Sequence, residues 1–284
     1  MNPTQYIARQ LDSAHSRIEL FEDQRFKKIL FTWLDEQTSI ETVLSLDVFD
    51  TLLIRDNLSE LSRFVQIGER ISDLAHPIKD LDKIDVFLAR QLGTKATYRC
   101  SSAVRGCREG SLTEIHRVAS VLLFGHDNFT EEFIEAELSY EAERVSPNTL
   151  LLEYAAIHRS RGGRTVLISD MYMHATQIHR LLNMTGIDIS LFDRIYSSAD
   201  TKVSKASGGI FPIVEKDMNQ SSKEFLHVGD SLKDDFQKPR MHGWNTLHFP
   251  ISKIEISARR ADHKATASSL AKEHGLLTDI RMPS

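Results

Sequence analysis

Residues 43–51 read VLSLDVFDT, a short and mostly apolar run that ends at Asp47 and is followed by Asp50 and Thr51. A run of this length and composition is typical of a strand that is buried on both faces of a parallel sheet. In open parallel α/β sheets, ligands bind at the carboxyl ends of the strands. The stretch therefore predicts a buried strand that presents Asp47 at a ligand-binding edge.

Similar apolar runs recur in the second half of the chain, at residues 165–168, 194–196, 225–228 and 245–249. Helical patterns lie beside them, at residues 148–161, 174–184, 210–218 and 233–242. Strands and helices that alternate in this way are typical of a doubly wound parallel sheet with helices on both faces. The sequence therefore predicts an α/β fold of the Rossmann-like type.

A long helical insert interrupts this alternation at residues 58–145, and no strand signal appears between the first predicted strand and the second. The insert is too long for a crossover connection, so we expect a separate helical domain there. The α/β core is then built from residues 41–57 and 146–284. Residues 1–40 carry an amphipathic helical stripe, which is expected to pack against the core or to contact a partner, such as a second copy of the chain.

The charge balance bears on the class of partner. The 284 residues contain 35 Lys and Arg against 40 Asp and Glu, for a net charge of -5. This mild acidity argues against a protein that binds nucleic acid or a membrane surface. Cys100 and Cys107 lack a zinc spacing, and no apolar run approaches the roughly 20 residues that span a bilayer. With no signal-peptide pattern, the sequence predicts a cytoplasmic protein that acts on a small molecule.

Polar residues follow four of the predicted strands, and their side chains should converge at one edge of the sheet. They are Asp47, Asp50 and Thr51 after the first strand, Ser169 and Asp170 after the second, Lys202 and Lys205 after the third, and Asp230, Ser231, Asp234 and Asp235 after the fourth. Carboxylate oxygens are ligands that Mg²⁺ prefers, and a hydroxyl and a lysine suit an anionic group. The pattern predicts a metal-assisted site for an anionic substrate.

These segments resemble, in order and in spacing, the four sequence motifs of the haloacid dehalogenase superfamily. The matching residues are Asp47 with Thr51, Ser169 after Ile168, Lys205 with Ile210 and Phe211 beyond it, and the run from His227 to Asp235 with Gly243 after it. The resemblance covers residues 42–56 and about 146–250. It implies a Rossmann-like core, and the helical insert stands where this superfamily carries its helical cap domain.

The resemblance also implies a nucleophile. Asp47 would attack the phosphorus of a small phosphate monoester, such as a sugar or polyol phosphate, and form an aspartyl-phosphate that water hydrolyses. A carboxylate with an ordinary pKa of about 4 is already ionised at neutral pH and needs no base. Ser169 and Lys205 would bind the phosphoryl oxygens, and Thr51 would shape the loop beside the substrate.

A magnesium site is implied by the same resemblance. The carboxylates of Asp47 and Asp230 and the main-chain carbonyl of Phe49 would hold Mg²⁺, together with Asp234 or Asp235. The sequence does not distinguish between the last two, because acidic residues are generally favourable at the start of a helix.

Phe49 departs from the family pattern, since phosphatases of this superfamily usually carry a second Asp there as general acid and base. General acid and base catalysis of this kind raises the rate by about 10²- to 10⁴-fold. Asp170 or Asp50 would have to supply the proton instead, and Asp170 is preferred because residues 169–172, together with residues 47–51, resemble one branch of the superfamily. The departure also leaves open a hydrolase of the dehalogenase or phosphonatase type, and a non-catalytic module that binds a phosphorylated ligand or a protein.

Several other polar residues have structural interpretations that are favoured over functional ones. Lys202 competes with Lys205, but the Ile-Phe pair beyond Lys205 favours the latter. The residues expected to be structural or solvated are His174, His227, His242, Arg99, Arg105 and Arg108.

Overall fold

The structure is a computed structural model that describes residues 3–283. The N-terminal residues form helices that pack on the rest of the chain. The helices are α1 (Pro3–Ser13), α2 (Arg17–Glu22) and α3 (Gln24–Gln37). Ser16 and Asp23 divide the predicted stripe, because each side chain accepts a hydrogen bond from a main-chain N–H in the first turn of the next helix. Most of its apolar side chains are buried in the core of the chain itself: Ile7, Leu11, Phe21, Phe26, Leu30 and Leu34.

The helical insert is joined to the core by a short two-stranded ribbon. Strand β1 (Val43–Asp47) leads into β2 (Leu53–Arg55), which pairs antiparallel with β3 (Val145–Pro147). Between β2 and β3 lie the helices of the cap, which are α4 (Glu60–Ala75), α5 (Lys83–Cys100), α6 (Leu112–Phe124) and α7 (Thr130–Arg144). The ribbon corrects the expectation that no strand lies between β1 and the second strand of the core. Strands of three residues are too short to show a periodic pattern in sequence.

The remaining residues build the core around β1. In chain order they form α8 (Thr149–Ser160), β4 (Arg164–Ser169), α9 (Ala175–Met184), β5 (Arg194–Ser197), α10 (Ser198–Thr201), α11 (Phe211–Met218), β6 (Phe225–Gly229), a π-helix (Leu232–Gln237), α12 (Lys238–Met241), β7 (Asn245–His248) and α13 (Lys253–His274). The helix predicted over residues 233–242 is thus divided, and Pro239, which has no main-chain N–H, lies in the first turn of its second part. No helix within residues 3–283 is both long enough and apolar enough to cross a membrane.

The core strands of the described chain form one parallel sheet in the order β5-β4-β1-β6-β7. Strand β1 is central, with Asp47 opposite Ile168 of β4 and Leu46 opposite Val228 of β6. The carboxyl ends of β1, β4 and β6 therefore lie side by side. This arrangement confirms the predicted doubly wound α/β fold.

Both faces of the sheet are buried, because successive side chains of a strand point to opposite faces. Leu44 and Leu46 of β1 belong to the larger of two buried apolar clusters. Val43 belongs to the second cluster, which includes Phe211 and Trp244. Burial on both faces explains why the strands appear in the sequence as nearly continuous apolar runs.

Candidate active site

The carboxyl ends of β1, β4 and β6 open into a cavity of about 730 Å³ between the core and the cap. Its wall includes most of the predicted site residues, namely Asp47, Phe49, Ser169, Asp170, Lys205, Asp230, Asp234 and Asp235. From the cap, Phe64, Tyr98 and Glu141 also line it. Thr51, which the resemblance also suggested as a substrate-binding residue, is fully buried and is not part of this wall.

Lys205 is held at the floor of the cavity by two carboxylates. Its Nζ lies 2.5 Å from Asp47 Oδ1 and 2.6 Å from Asp235 Oδ1, and it donates to the main-chain carbonyl of Ile168 at 3.2 Å. Burial favours the neutral amine, but Asp235 and Asp47 outweigh it and raise the pKa of Lys205 above its usual value. The lysine is therefore a fixed positive charge beside Asp47. Lys202, its competitor in the sequence, does not line the cavity.

Asp47, Asp230 and Asp235 form a compact acidic group. One carboxylate oxygen of each lies within 4.8 Å of the others. Burial raises the pKa of Asp47 to about 7, and Asp235 adds to this effect, although Lys205 opposes it. Burial and the charges of Asp47 and Asp235 likewise raise the pKa of Asp230. The prediction of an ordinary carboxylate pKa for Asp47 is therefore wrong for the chain without a bound cation.

Several oxygens in and beside this acidic group have no hydrogen-bond partner among the described residues, and these oxygens fit a hard divalent cation. Among the described residues, no donor bonds to the Asp230 carboxylate or to the carbonyl of Phe49, and the buried Asp234 Oδ1 also lacks a partner. Asp235 differs, because its oxygens already accept from Lys205, from His227 Nε2 at 3.1 Å and from the Ser231 N–H at 2.9 Å. Oxygen donors of this kind are what Mg²⁺ prefers.

Mg²⁺ should stabilise the protein more above pH 7 than below it. The pKa of Asp47 is about 7 in the fold against a usual 3.8, so ionising this group as pH rises towards 7 destabilises the folded protein. A cation that binds the carboxylate removes that cost but must compete with the proton. We expect the rise in Tm that Mg²⁺ causes to be larger at about pH 8 than at about pH 6. An equal or larger rise at the lower pH would contradict this assignment, and Asp47→Asn should weaken the pH dependence.

Asp170 positions the loop that carries Lys205. Its two carboxylate oxygens accept from the main-chain N–H groups of Lys205, at 2.7 Å, and Ala206, at 3.0 Å. Burial among the site residues raises the pKa of Asp170, although Lys205 opposes this. Because Asp170 also lines the cavity, a raised pKa suits a group that gives up a proton there.

Asp50 is occupied by arginines from both ends of the chain. Arg259 of α13 donates to its two oxygens at 2.6 and 3.0 Å, and Arg17 of α2 donates to its main-chain carbonyl at 2.5 Å. Burial alone would raise the pKa of Asp50, but Arg259, Arg55 and Arg17 together lower it well below its usual range. Asp50 therefore stays ionised and is a poor proton donor, which leaves Asp170 as the candidate. Arg17 and Arg259 carry no local sequence signal, since they lie 33 and 209 residues from Asp50.

Tyr172 connects the loop after β4 to the cap. Its main-chain carbonyl accepts from the Leu112 N–H at 2.6 Å, and its hydroxyl donates to Glu137 Oε1 at 3.0 Å. Glu137 is fully buried and also binds Arg90, with contacts of 2.5 and 2.7 Å, and His116 at 2.8 Å. This cluster, formed by Arg90, Glu137, His116 and Tyr172, fixes the cap to the core beside the cavity.

The histidines and arginines that the sequence assigned to structural roles lie outside the cavity wall. His227 Nδ1 lies 2.8 Å from the Ser45 hydroxyl, and its Nε2 contacts Asp235. His227 therefore supports the acidic group from outside the cavity. His174 contacts Asp200 at 2.6 Å, and His242 contacts Glu215 at 3.3 Å. Arg99, Arg105 and Arg108 lie in or after α5, and none of them lines the cavity.

Comparison with known proteins gives the fold. No family model and no curated protein matches the chain. A 2-haloacid dehalogenase from Pseudomonas syringae pv. Tomato DC3000 is similar over 72% of this chain and 84% of its own, with 12% identity and a TM-score of 0.51. A HAD family enzyme from Bacteroides thetaiotaomicron, solved with magnesium and inorganic phosphate, covers 73% of this chain and 93% of its own, with 16% identity and a TM-score of 0.47. With the sheet order and the inserted helical cap, the first of these likenesses shows that the chain has the fold of the haloacid dehalogenase superfamily.

Proposed function

We propose that the protein is a Mg²⁺-dependent phosphatase-type hydrolase that acts on a small phosphate monoester, such as a sugar or polyol phosphate. The observation that carries the proposal is the position of Asp47. Its carboxylate faces the cavity, contacts the ammonium group of Lys205 at 2.5 Å, and lies within 4.8 Å of Asp230 and Asp235. A carboxylate beside a fixed cation and a metal-binding acidic group is suited to attack a phosphoryl group.

Mg²⁺ would be held by Asp47, Asp230 and the carbonyl of Phe49, with Asp234 or Asp235 in support. The cation would neutralise charge that otherwise makes this acidic group repel a phosphate. The unpaired Oδ1 of Asp234 supports that residue as the additional ligand. Asp235 is engaged with Lys205, and its role would be to hold the lysine in place.

The chain's own residues would carry out two displacements at phosphorus. In the first, a carboxylate oxygen of Asp47 forms a bond to phosphorus, the ester P–O bond breaks, and its electron pair leaves with the alcohol oxygen. Lys205 and the Ser169 hydroxyl, which both line the cavity, would bind the phosphoryl oxygens as their charge increases. In the second, a water oxygen bonds to phosphorus and the bond to Asp47 breaks, which releases phosphate and restores the carboxylate.

The alcohol oxygen needs a proton as it leaves, and the water loses one in the second step. Phe49 cannot exchange a proton, and Asp50 is held ionised by arginines. Asp170 lines the cavity and has a raised pKa, so we assign this exchange to Asp170. Asp170 would have this role in addition to its hydrogen bonds to the loop of Lys205.

A dehalogenase- or phosphonatase-type hydrolase is the second candidate, and the apolar side chain of Phe49 favours it. Hydrolysis of a carbon–halogen bond needs no metal, whereas this cavity gathers Asp47, Asp230 and Asp235 within 4.8 Å. That acidic group is the reason to prefer the phosphatase over a dehalogenase. A non-catalytic module that binds a phosphorylated ligand is the remaining alternative.

A substrate panel with controlled metal separates these functions. The purified protein should hydrolyse phosphate monoesters, should lose this activity in EDTA, and should regain it with Mg²⁺ but not with Ca²⁺, which prefers more ligands and a looser geometry. Phosphonates and 2-haloacids are included as alternative substrates. Haloacid hydrolysis in the presence of chelator would favour the second candidate, and no turnover of any compound would favour a binding module.

A further inference from the structure

Arg55 lies at the boundary between the core and the cap, directly beside the candidate nucleophile's loop. It is the last residue of β2, and its guanidinium carbon lies 4.2 Å from the centroid of the Phe49 ring. Both side chains line the cavity. A guanidinium that lies on an aromatic ring keeps the edges of its plane available for hydrogen bonds.

Those edges lack strong partners within the described residues. The nearest carboxylates of Arg55 are Glu141, at 3.7 Å from Nε, and Asp50, at 3.9 Å from Nη1, and its one hydrogen bond goes to the sulfur of Met171 at 3.6 Å. The Nε atom is buried and has no hydrogen-bond partner among residues 3–283. Buried donors of this kind normally have partners, so the geometry points to an acceptor that comes from outside the chain.

The two buried arginines of the described wall, Arg63 and Arg259, differ from the partly buried Arg55 in this respect. Arg63 donates to Glu141 at 3.2 Å and to Asp56 at 2.7 Å. Arg259 donates to both oxygens of Asp50. The two carboxylates nearest to Arg55 are therefore already hydrogen-bonded by other arginines, and Arg55 adds only longer contacts of 3.7 and 3.9 Å to them while lining the cavity.

The position of Arg55 indicates which part of a substrate it would meet. Asp47, Ser169 and Lys205 gather at the edge of the sheet, where the phosphoryl group would lie. Arg55 lies against the Phe49 ring, and its Nε is 3.7 Å from Glu141 in α7 of the cap. The leaving part of an ester bound at Asp47 would extend towards the cap and hence towards Arg55.

We propose, building on the phosphatase function above, that Arg55 selects substrates whose leaving alcohol carries a second anionic group, a carboxylate or a phosphate. A charge-assisted pair with a guanidinium is stronger than a neutral hydrogen bond and can be bidentate. The substrate class is then the phosphate monoesters of anionic alcohols. Arg55 is a specificity-determining residue in this account, and the two displacements at phosphorus are unchanged.

Three esters of nearly equal size test the proposal, because their leaving alcohols differ mainly in charge. They are 2-phosphoglycolate, 2-hydroxyethyl phosphate and phosphoethanolamine, whose leaving groups are anionic, neutral and cationic. In Mg²⁺, the wild type should show the highest kcat/KM for the anionic ester, by about tenfold or more over the neutral one. Arg55→Met keeps an unbranched apolar chain on the Phe49 ring, and it should remove this preference mainly by lowering kcat/KM for 2-phosphoglycolate.

Arg105→Gln is the matched control, because it removes the same charge from an exposed position in the cap, outside the cavity. It should retain the preference of the wild type. Equal kcat/KM values for the three esters in the wild type, or a full preference in Arg55→Met, would overturn the role of Arg55 and leave the phosphatase function standing.

Failure of the phosphatase function itself gives a different result. If the wild type hydrolyses none of the three esters, the proposed function is overturned, and calorimetric binding of the same esters in Mg²⁺ then tests Arg55 separately. Tighter binding of 2-phosphoglycolate than of 2-hydroxyethyl phosphate, lost in Arg55→Met, would support the inference. Equal binding, or none, would overturn it.

Discussion

Replacing Arg90 with leucine is expected to lower the free energy of unfolding by about 3–5 kcal/mol, because it leaves a buried charge without its partner. Glu137 is fully buried and binds the guanidinium of Arg90 at 2.5 and 2.7 Å. Arg90 and His116 together hold the pKa of Glu137 well below its usual range, against the effect of burial. Without Arg90, Glu137 must either stay ionised at high cost or take up a proton. Thermal unfolding should show a decrease in Tm of roughly 10 °C.

Arg70→Leu is the control for this change, since it removes an arginine from an exposed ion pair of the same cap. Arg70 contacts Glu143 at 2.5 Å, but their side chains are 31% and 59% exposed. Exposed pairs contribute about 0–1 kcal/mol, so Tm should change little. Similar decreases in Tm for the two variants would contradict a special role of the buried cluster in fixing the cap.

Replacing Asp47 with asparagine is expected to abolish hydrolysis while the fold survives. An amide is a far weaker nucleophile than a carboxylate, so the covalent step should be lost. Lys205 keeps its 2.6 Å contact with Asp235, so no buried charge is left alone by the change. Burial disfavours the ionised form of Asp47 and raises its pKa to about 7, so its loss should not destabilise the protein.

Steady-state rates with Mg²⁺, together with circular dichroism and Tm, measure both parts of this prediction. Asp127→Asn, an exposed substitution in the cap outside the cavity, is the control and should retain the wild-type rate. Near-normal turnover by Asp47→Asn would exclude Asp47 as the nucleophile. Loss of turnover with loss of the fold would point to a structural role instead.

The parallel core could be predicted from the sequence because its strands are short, continuous apolar runs that end in polar residues. The same local signals predict that Asp47, Ser169, Lys205 and Asp230 lie at one edge of the sheet. Strands β2 and β3 could not be predicted in this way, because three residues show no period. The backbone connection to the cap is therefore visible only in the structure.

Tertiary contacts decided what the sequence left open in the site. The sequence leaves both Asp50 and Asp170 as candidates for the missing acid and prefers Asp170 only by resemblance, whereas the arginines that occupy Asp50 come from α2 and α13. Arg55 illustrates the same limit, since its importance depends on which carboxylates Arg63 and Arg259 already occupy. The raised pKa of Asp47 also follows from burial, which no motif encodes.

Acid quenching during turnover of a ³²P-labelled phosphate ester tests directly whether a covalent phosphoryl group forms on Asp47. We expect protein-bound label within the first turnover. Hydroxylamine should remove it, as for an acyl phosphate, and peptide mapping should place it on the segment containing Asp47. Release of labelled phosphate in the first turnover with no label on that segment, or with label on another residue, would contradict the account.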